Sequence, residues 1–217
     1  MEGGPYEVPP APQLPKIRVE SKAPFAYTGL DYLGPLLVKT ERNSNKTQKV
    51  WICLFTCALI RAVHLEVVEN QSAEEFHLAL RRFVASYGAP LVVVSDNASQ
   101  FKSVEQAIQK LQSSQTSPAK VNIEWQKITE AAPWMGGFYE RMVGVVKKFL
   151  KKALDGITAT MSELKTVVAE ISYVVNSRPL LYVGNDTSLN PLSPNDFLGK
   201  STRPGFPSYD ESHQVRN

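Results

Sequence analysis

Three carboxylates stand in places where a carboxylate needs a reason. Asp31 lies inside FAYTGLDYLGPLLV, flanked by Phe25, Tyr27, Leu33, Leu36 and Leu37; Asp96 ends the apolar run LVVVSD; Glu140 stands near the start of WMGGFYERMVGVVKKFLKK. A buried carboxylate without a cation or strong donors is costly, so each position calls for a partner. Three hard oxygen ligands suit Mg²⁺ or Mn²⁺ better than zinc. Two such ions, about 3.5–4 Å apart, can activate the attacking oxygen and stabilise the leaving oxygen of a phosphodiester displacement. Spacing alone leaves other readings open. Asp96, placed before Asn97, can organise a turn, and Asp31 can pair with a lysine.

The stretch around Glu140 adds a second kind of chemistry. On a helical wheel Phe138, Met142, Val145, Val146, Phe149 and Ala153 share one face, while Glu140, Gly144, Lys147 and Lys151 share roughly the opposite one. Residues 137–152 carry five basic side chains (Arg141, Lys147, Lys148, Lys151, Lys152) against one acid, a local net of +4, although the whole chain is only +3. Such a concentration can steer an anionic polymer. A solvated face whose charges suit the helix dipole accounts for the same pattern.

The elements that must position these groups are readable from periodicity. A strand through Asp31, the turn ERNSNKTQ, a buried strand KVWICLFTC and the alternating RAVHLEV predict a three-stranded antiparallel meander. Ser72 and Glu75 then make a capping box ahead of Phe76, Ala79, Leu80, Phe83 and Val84, and Gly88 and Pro90 end that helix. LVVVSD is a short strand delivering Asp96 to its C-terminal end. A brief helix over 103–111, the loop SSQTSPAK and a fifth strand VNIEWQKI precede the basic helix. Thr160 and Glu163 cap a last helix carrying Leu164, Val167, Val168, Ile171 and Val175, stopped by Arg178-Pro179. The result is an α/β chain, a mixed five-stranded sheet covered by helices, with ligands expected near the carboxyl ends of strands. Residues 1–22 read as a Pro-rich arm, 23–183 as the core, and 184–217 as a largely extended Pro-rich tail.

With 217 residues, 43% hydrophobic and 21% charged, the chain is long enough for one substantial domain. Cys53 and Cys57 sit inside VWICLFTCALI, away from His64, His77 and His213, and read as small buried side chains rather than a zinc or disulfide framework. MEGGPYEVPP is not a signal peptide, and no apolar run approaches the length of a membrane span.

SDNASQF followed at a distance by PWMGGFYERMVGVVK resembles the catalytic core of retroelement integrases. YTGLDYLGPL matches the opening motif of that core, and PLSPNDFLGK resembles the motif that follows it in BEL/Pao-type LTR retrotransposons, so the resemblance covers about residues 23–200. It implies a ribonuclease-H-like fold and an Asp-Asp-Glu triad carried by Asp31, Asp96 and Glu140, holding two Mg²⁺ or Mn²⁺ ions per active site. Sixty-four residues separate the aspartates and forty-three separate Asp96 from Glu140. The second interval is longer than in retroviral relatives, and SSQTSPAK is where a surface loop can take up the excess. The implied activity is 3′-end processing and strand transfer on double-stranded DNA, in the nucleus with a cytoplasmic stage in a retroelement particle, by a homo-oligomer and without a membrane.

The same resemblance assigns Lys147, and after it Lys148, Lys151 and Arg141, to the DNA backbone. Asn97, Ser99 and Gln100 would position the site loop or touch a DNA end, and Gly136 and Gly137 would let the preceding loop bend or approach DNA. Asn176 and Arg178 would lie near the rim, with a helix cap the alternative for Asn176. Gly144 departs from the family, where a basic or polar side chain is common. No His-His-Cys-Cys zinc module precedes the core and 201–217 is short for a C-terminal barrel. A fragment, a domesticated non-catalytic scaffold for DNA or protein, and a ribonuclease H acting on hybrids are the competing readings.

Overall fold

The computed structural model describes residues 19–20, 22–42, 45–95, 123–127, 137–181 and 191–199. Strands β1 (Tyr27–Lys39), β2 (Thr47–Cys57) and β3 (Val63–Val68) form the expected antiparallel meander. Helix α1 (Ala73–Tyr87) leads to β4 (Val92–Ser95), which pairs in parallel with β1; β5 (Glu124–Lys127) pairs in parallel with β4. Helices α2 (Gly137–Leu154), α3 (Met161–Asn176) and the one-turn α4 (Pro194–Phe197) follow. The sheet order is β3-β2-β1-β4-β5.

Strand alternation divides the core into two layers. Leu30, Tyr32, Cys53, Phe55 and Val93 face α1, where Phe76, Ala79, Leu80 and Phe83 meet them. Leu33, Ile52, Leu54, Val63 and Leu65 face the other way, onto Met142, Val146 and Leu150 of α2 and Leu164, Val168 and Ile171 of α3. Both cysteines are buried and free, and burial pushes the Cys53 thiol up, so it is a packing group.

The β1 register breaks between Leu33 and Leu36. Pro35 has no N–H to give a ladder, and a bulge is where a strand tolerates that. Gly34 before it holds φ +136°, and an added Cβ there would meet Val50 O and Trp51 Cδ1 at 3.0 Å. Glycine is required on both counts.

The Thr160–Glu163 capping box forms in full. At α1 only half of the expected box exists: Ser72 accepts the Glu75 N–H, whereas Asn70 accepts the Ser72 N–H and Glu75 accepts the Glu69 N–H. The local Asn turn reaches the Ser72 donor first. Glu66 joins β3 to α1 through Arg82 at 2.6 Å and holds His64 at 2.8 Å. Burial works to raise the Glu66 pKa, but the hydrogen bonds and charges of His64 and Arg82 outweigh it and hold the group low.

The segment after 184, expected to be mostly extended, contributes to the core. Ser193 and Asp196 cap α4, Asn195 is fully buried and donates to Ser177 Oγ at 2.9 Å, and the Leu180 N–H donates to Leu192 O. Pro194 at the first helical position makes PNDF a helix start rather than a plain turn.

Candidate active site

Gly29 sets the geometry. It lies two residues before Asp31 on the same face of β1, and a Cβ placed on it would fall 2.6 Å from both Phe138 Cζ and Tyr139 Cδ1. The missing side chain lets the first turn of α2 settle on the sheet, where both rings pack with Val92, Val94 and Ala58. Arg61 adds a clamp: its guanidinium donates to Phe138 O at 3.1 Å and lies over the Phe138 ring at 5.6 Å. Arg178 in turn donates to Arg61 O at 2.6 Å and to Val175 O, with Met142 Sδ at 3.6 Å. Burial and then the nearby Arg141 charge lower the Arg178 pKa.

From that anchor α2 runs alongside β1. Leu33, Gly34, Pro35 and Leu36 share one cleft with Lys147, Leu150, Lys151 and Leu154. The step from Gly29 to Leu33 covers about 13 Å at 3.3 Å per strand residue, and that from Tyr139 to Lys147 about 12 Å at 1.5 Å per helical residue. The two elements therefore keep pace. Asp31 and Glu140 lie on the same side of the sheet, offset along the common direction by roughly 5 Å on that same count. Asp31 is half-buried, and its Oδ1 accepts the Tyr32 N–H at 2.7 Å, which orients the carboxylate. Glu140 is exposed.

The structure therefore brings Asp31 and the start of α2 together. Asp96, Asn97, Ser99, Gln100 and Gly136 lie outside the described residues. Among the described residues no group of three or more metal-ligating side chains converges. The donor types available, aspartate and glutamate oxygens, fit a hard divalent ion.

The basic face is as expected in one respect and different in another. Glu140, Arg141, Gly144, Lys147, Lys148 and Lys151 are all exposed. The apolar stripe, however, is rotated: Phe138, Tyr139, Met142, Val143, Val146 and Leu150 are the buried residues, while Phe149 is 37% exposed and Ala153 is exposed. The wheel treated α2 in isolation. Gly29 draws Tyr139 inward beside Phe138, and the stripe through Val143, Val146, Leu150 and the half-buried Leu154 follows. Gly137 is the exposed first residue of α2, a helix entry.

Asn176 has a different place from either expectation. Ser177 is the cap of α3. Asn176 is 1% exposed; its Oδ1 accepts the Val63 N–H and its Nδ2 donates to Val63 O, both at 2.8 Å. One amide thus stands in for a neighbouring strand at the start of edge strand β3. Asn176→Ala should cost about 2–4 kcal/mol, two lost bonds plus the penalty of a buried unpaired donor and acceptor. A urea midpoint lowered at constant m-value is the readout, and a change under about 0.5 kcal/mol would contradict this role.

The positioning residues Gly29 and Arg61 were missed from the sequence. A glycine two residues from a strand carboxylate, on the same face, was the available signal for Gly29. Nothing local marks Arg61, whose partner is 77 residues away.

No family model and no curated protein sequence matches this chain. Solved structures do. A chain of the simian T-cell lymphotropic virus intasome, determined in complex with PP2A regulatory subunit B56 gamma, is 14% identical with a TM-score of 0.58; the match covers 95% of this chain, which spans only 66% of that one's length. The HTLV-2 integrase catalytic core domain with magnesium, in its dimeric form, gives 18% identity and a TM-score of 0.54, covering 81% of this chain and 97% of that one. Its trimeric form gives 19% and 0.50, covering 76% and 92%. The mixed five-stranded sheet flanked by helices is the ribonuclease-H-like fold of integrase catalytic cores.

Proposed function

We propose that the chain is a polynucleotidyl transferase of the integrase type, cutting DNA 3′ ends and joining them to target DNA, with its nearest affinity to BEL/Pao-type elements. The observation that supports this most is the packing of Phe138 and Tyr139 on Gly29, which sets the start of α2, and with it Glu140, over the strand face that carries Asp31. Leu30 pairs with Ser95, and the next residue on each chain is an aspartate, Asp31 and Asp96. The three carboxylates would hold two Mg²⁺ or Mn²⁺ ions. When bound, these supply activation of the attacking oxygen, from water in end cleavage or a 3′-hydroxyl in joining, and stabilise the leaving oxygen.

The chain's own part is positional. Asp31 is oriented by the Tyr32 N–H, Glu140 is carried by a helix start that Gly29 admits and Arg61 clamps, and Lys147, Lys148 and Lys151 continue the same helix as an exposed cationic track for the DNA backbone. The test is a labelled duplex with Mn²⁺, Mg²⁺ or chelator. Shortened and joined products that require the metal support the reading, and cleavage of RNA–DNA hybrids without joining would replace it with a ribonuclease H. A chain with this activity works in the nucleus, after a cytoplasmic stage in a retroelement particle.

Replacing both Lys147 and Lys151 by Ala should lower duplex affinity about equally for all sequences and reduce the salt slope by about 2, since each phosphate contact contributes close to one. Fluorescence anisotropy across a salt series measures it. An unchanged slope would return these lysines to a plain solvated face.

A homo-oligomer is part of the same reading. β3 is an edge strand, and the parity set by Val63 turns the backbone groups of Leu65 and Val67 away from β2. They open into a cleft of about 900 Å³ between α1 and α3, beside Leu78, which is 43% exposed. An unprotected edge flanked by apolar side chains favours association.

A further inference from the structure

The second cleft has a chemistry that a phosphate track alone does not explain. It lies between the β1 bulge and the second half of α2 and measures about 310 Å³. Leu33, Leu36, Leu150 and Leu154 line it, with Gly34 and Pro35 at the bulge, while Lys147 and Lys151 stand on its helical wall. Leu33 and Leu150 are buried, 2% and 4% exposed, whereas both lysines are exposed. An apolar floor rejects a phosphate, and two cations beside it attract one. A ligand that satisfies both must be apolar and flat at one end and anionic at the other.

We infer that this cleft receives one unpaired nucleobase at a DNA end, with Lys147 and Lys151 on the phosphates either side of it. The inference rests on the DNA reading above and deepens it. The volume is at the small end of the range for ligand clefts, roughly 300–1,000 Å³, enough for one ring system. A base within a duplex is stacked and paired and cannot enter, so the site selects an end that is already unpaired. The lysines are four apart on α2, which sets their Cβ atoms about 5–6 Å apart, within reach of phosphates on successive nucleotides. Apolar walls carry no hydrogen-bonding code, so the preference is for an unpaired base of any identity.

The experiment compares three labelled duplexes with the full chain: blunt, bearing one unpaired nucleotide, and bearing an abasic residue in that place. The unpaired base should bind about tenfold tighter than the other two, which should match each other. Leu154→Trp fills the cleft from the helix and Leu36→Trp from the bulge. Each should remove the preference while leaving blunt-duplex affinity unchanged, and circular dichroism melts identify the folded variants. A free mononucleotide should not displace the DNA at equal concentration; full displacement would make this a nucleotide site and overturn the assignment. Equal binding of all three duplexes by the wild type overturns the base pocket and leaves the cationic track standing. Failure to bind any duplex at low salt removes the DNA reading itself.

Discussion

Asp31→Asn should abolish metal-dependent cleavage and joining, with a loss of about 10³-fold or more, and leave the protein folded. The size follows from what a metal ligand supports: several kcal/mol of charge stabilisation in the transition state, at 1.36 kcal/mol per factor of ten. Folding is spared for a local reason. The Asp31 carboxylate accepts the Tyr32 N–H, and an asparagine Oδ1 accepts it equally well. Removing a half-buried charge also lightens the desolvation cost, so the melting temperature should hold or rise. Asp96→Asn should give the same loss of both steps. Rates with labelled duplex and Mn²⁺, set beside thermal melts, make the measurement. Residual activity near the wild-type rate in either variant would remove that residue from the site.

Gly29→Ala should be nearly as damaging without touching a ligand. The new methyl would stand 2.6 Å from two rings, Phe138 and Tyr139, that are 1% and 2% exposed. Neither ring has open space to turn into, so the start of α2 has to lift. Overpacking of this kind costs about 1–3 kcal/mol in stability. The loss in activity should be larger, about 10²-fold, because a shift of about 1 Å at Glu140 spoils the geometry of the reacting groups. Gly144→Ala is the matched control. It is exposed on the same helix, nothing lies within 4 Å of its added Cβ, and alanine there should stabilise by up to about 1 kcal/mol with activity intact. Equal activities in the two variants would show that the close approach at Gly29 does not position the site.

Local signals carried most of the architecture. The alternation of Val63, Leu65 and Val67 and the Thr160–Glu163 pair each report on a few neighbouring residues, and the structure keeps them. What depended on distant partners was less legible. The side of α2 that faces the sheet is decided by Gly29, more than a hundred residues upstream, so a wheel drawn on α2 alone put Phe149 and Ala153 inside and Tyr139 and Leu150 out. Asn176 looked like a rim or cap residue because its partner, Val63, is 113 residues away. PNDF looked like a turn because the burial of Asn195 against α3 has no trace in local pattern. For the site, the residue types pointed to a hard-metal carboxylate centre, and Asp31 and the α2 start do meet on one face. Asp96 lies outside the described residues.

The most direct measurement is a crystal structure of the protein soaked in Mn²⁺, read by anomalous scattering. The account predicts manganese held jointly by the carboxylates of Asp31, Asp96 and Glu140, on the sheet face beneath the first turn of α2. Manganese bound elsewhere, or any one of the three carboxylates turned to a distant surface in the ion-loaded protein, would contradict it.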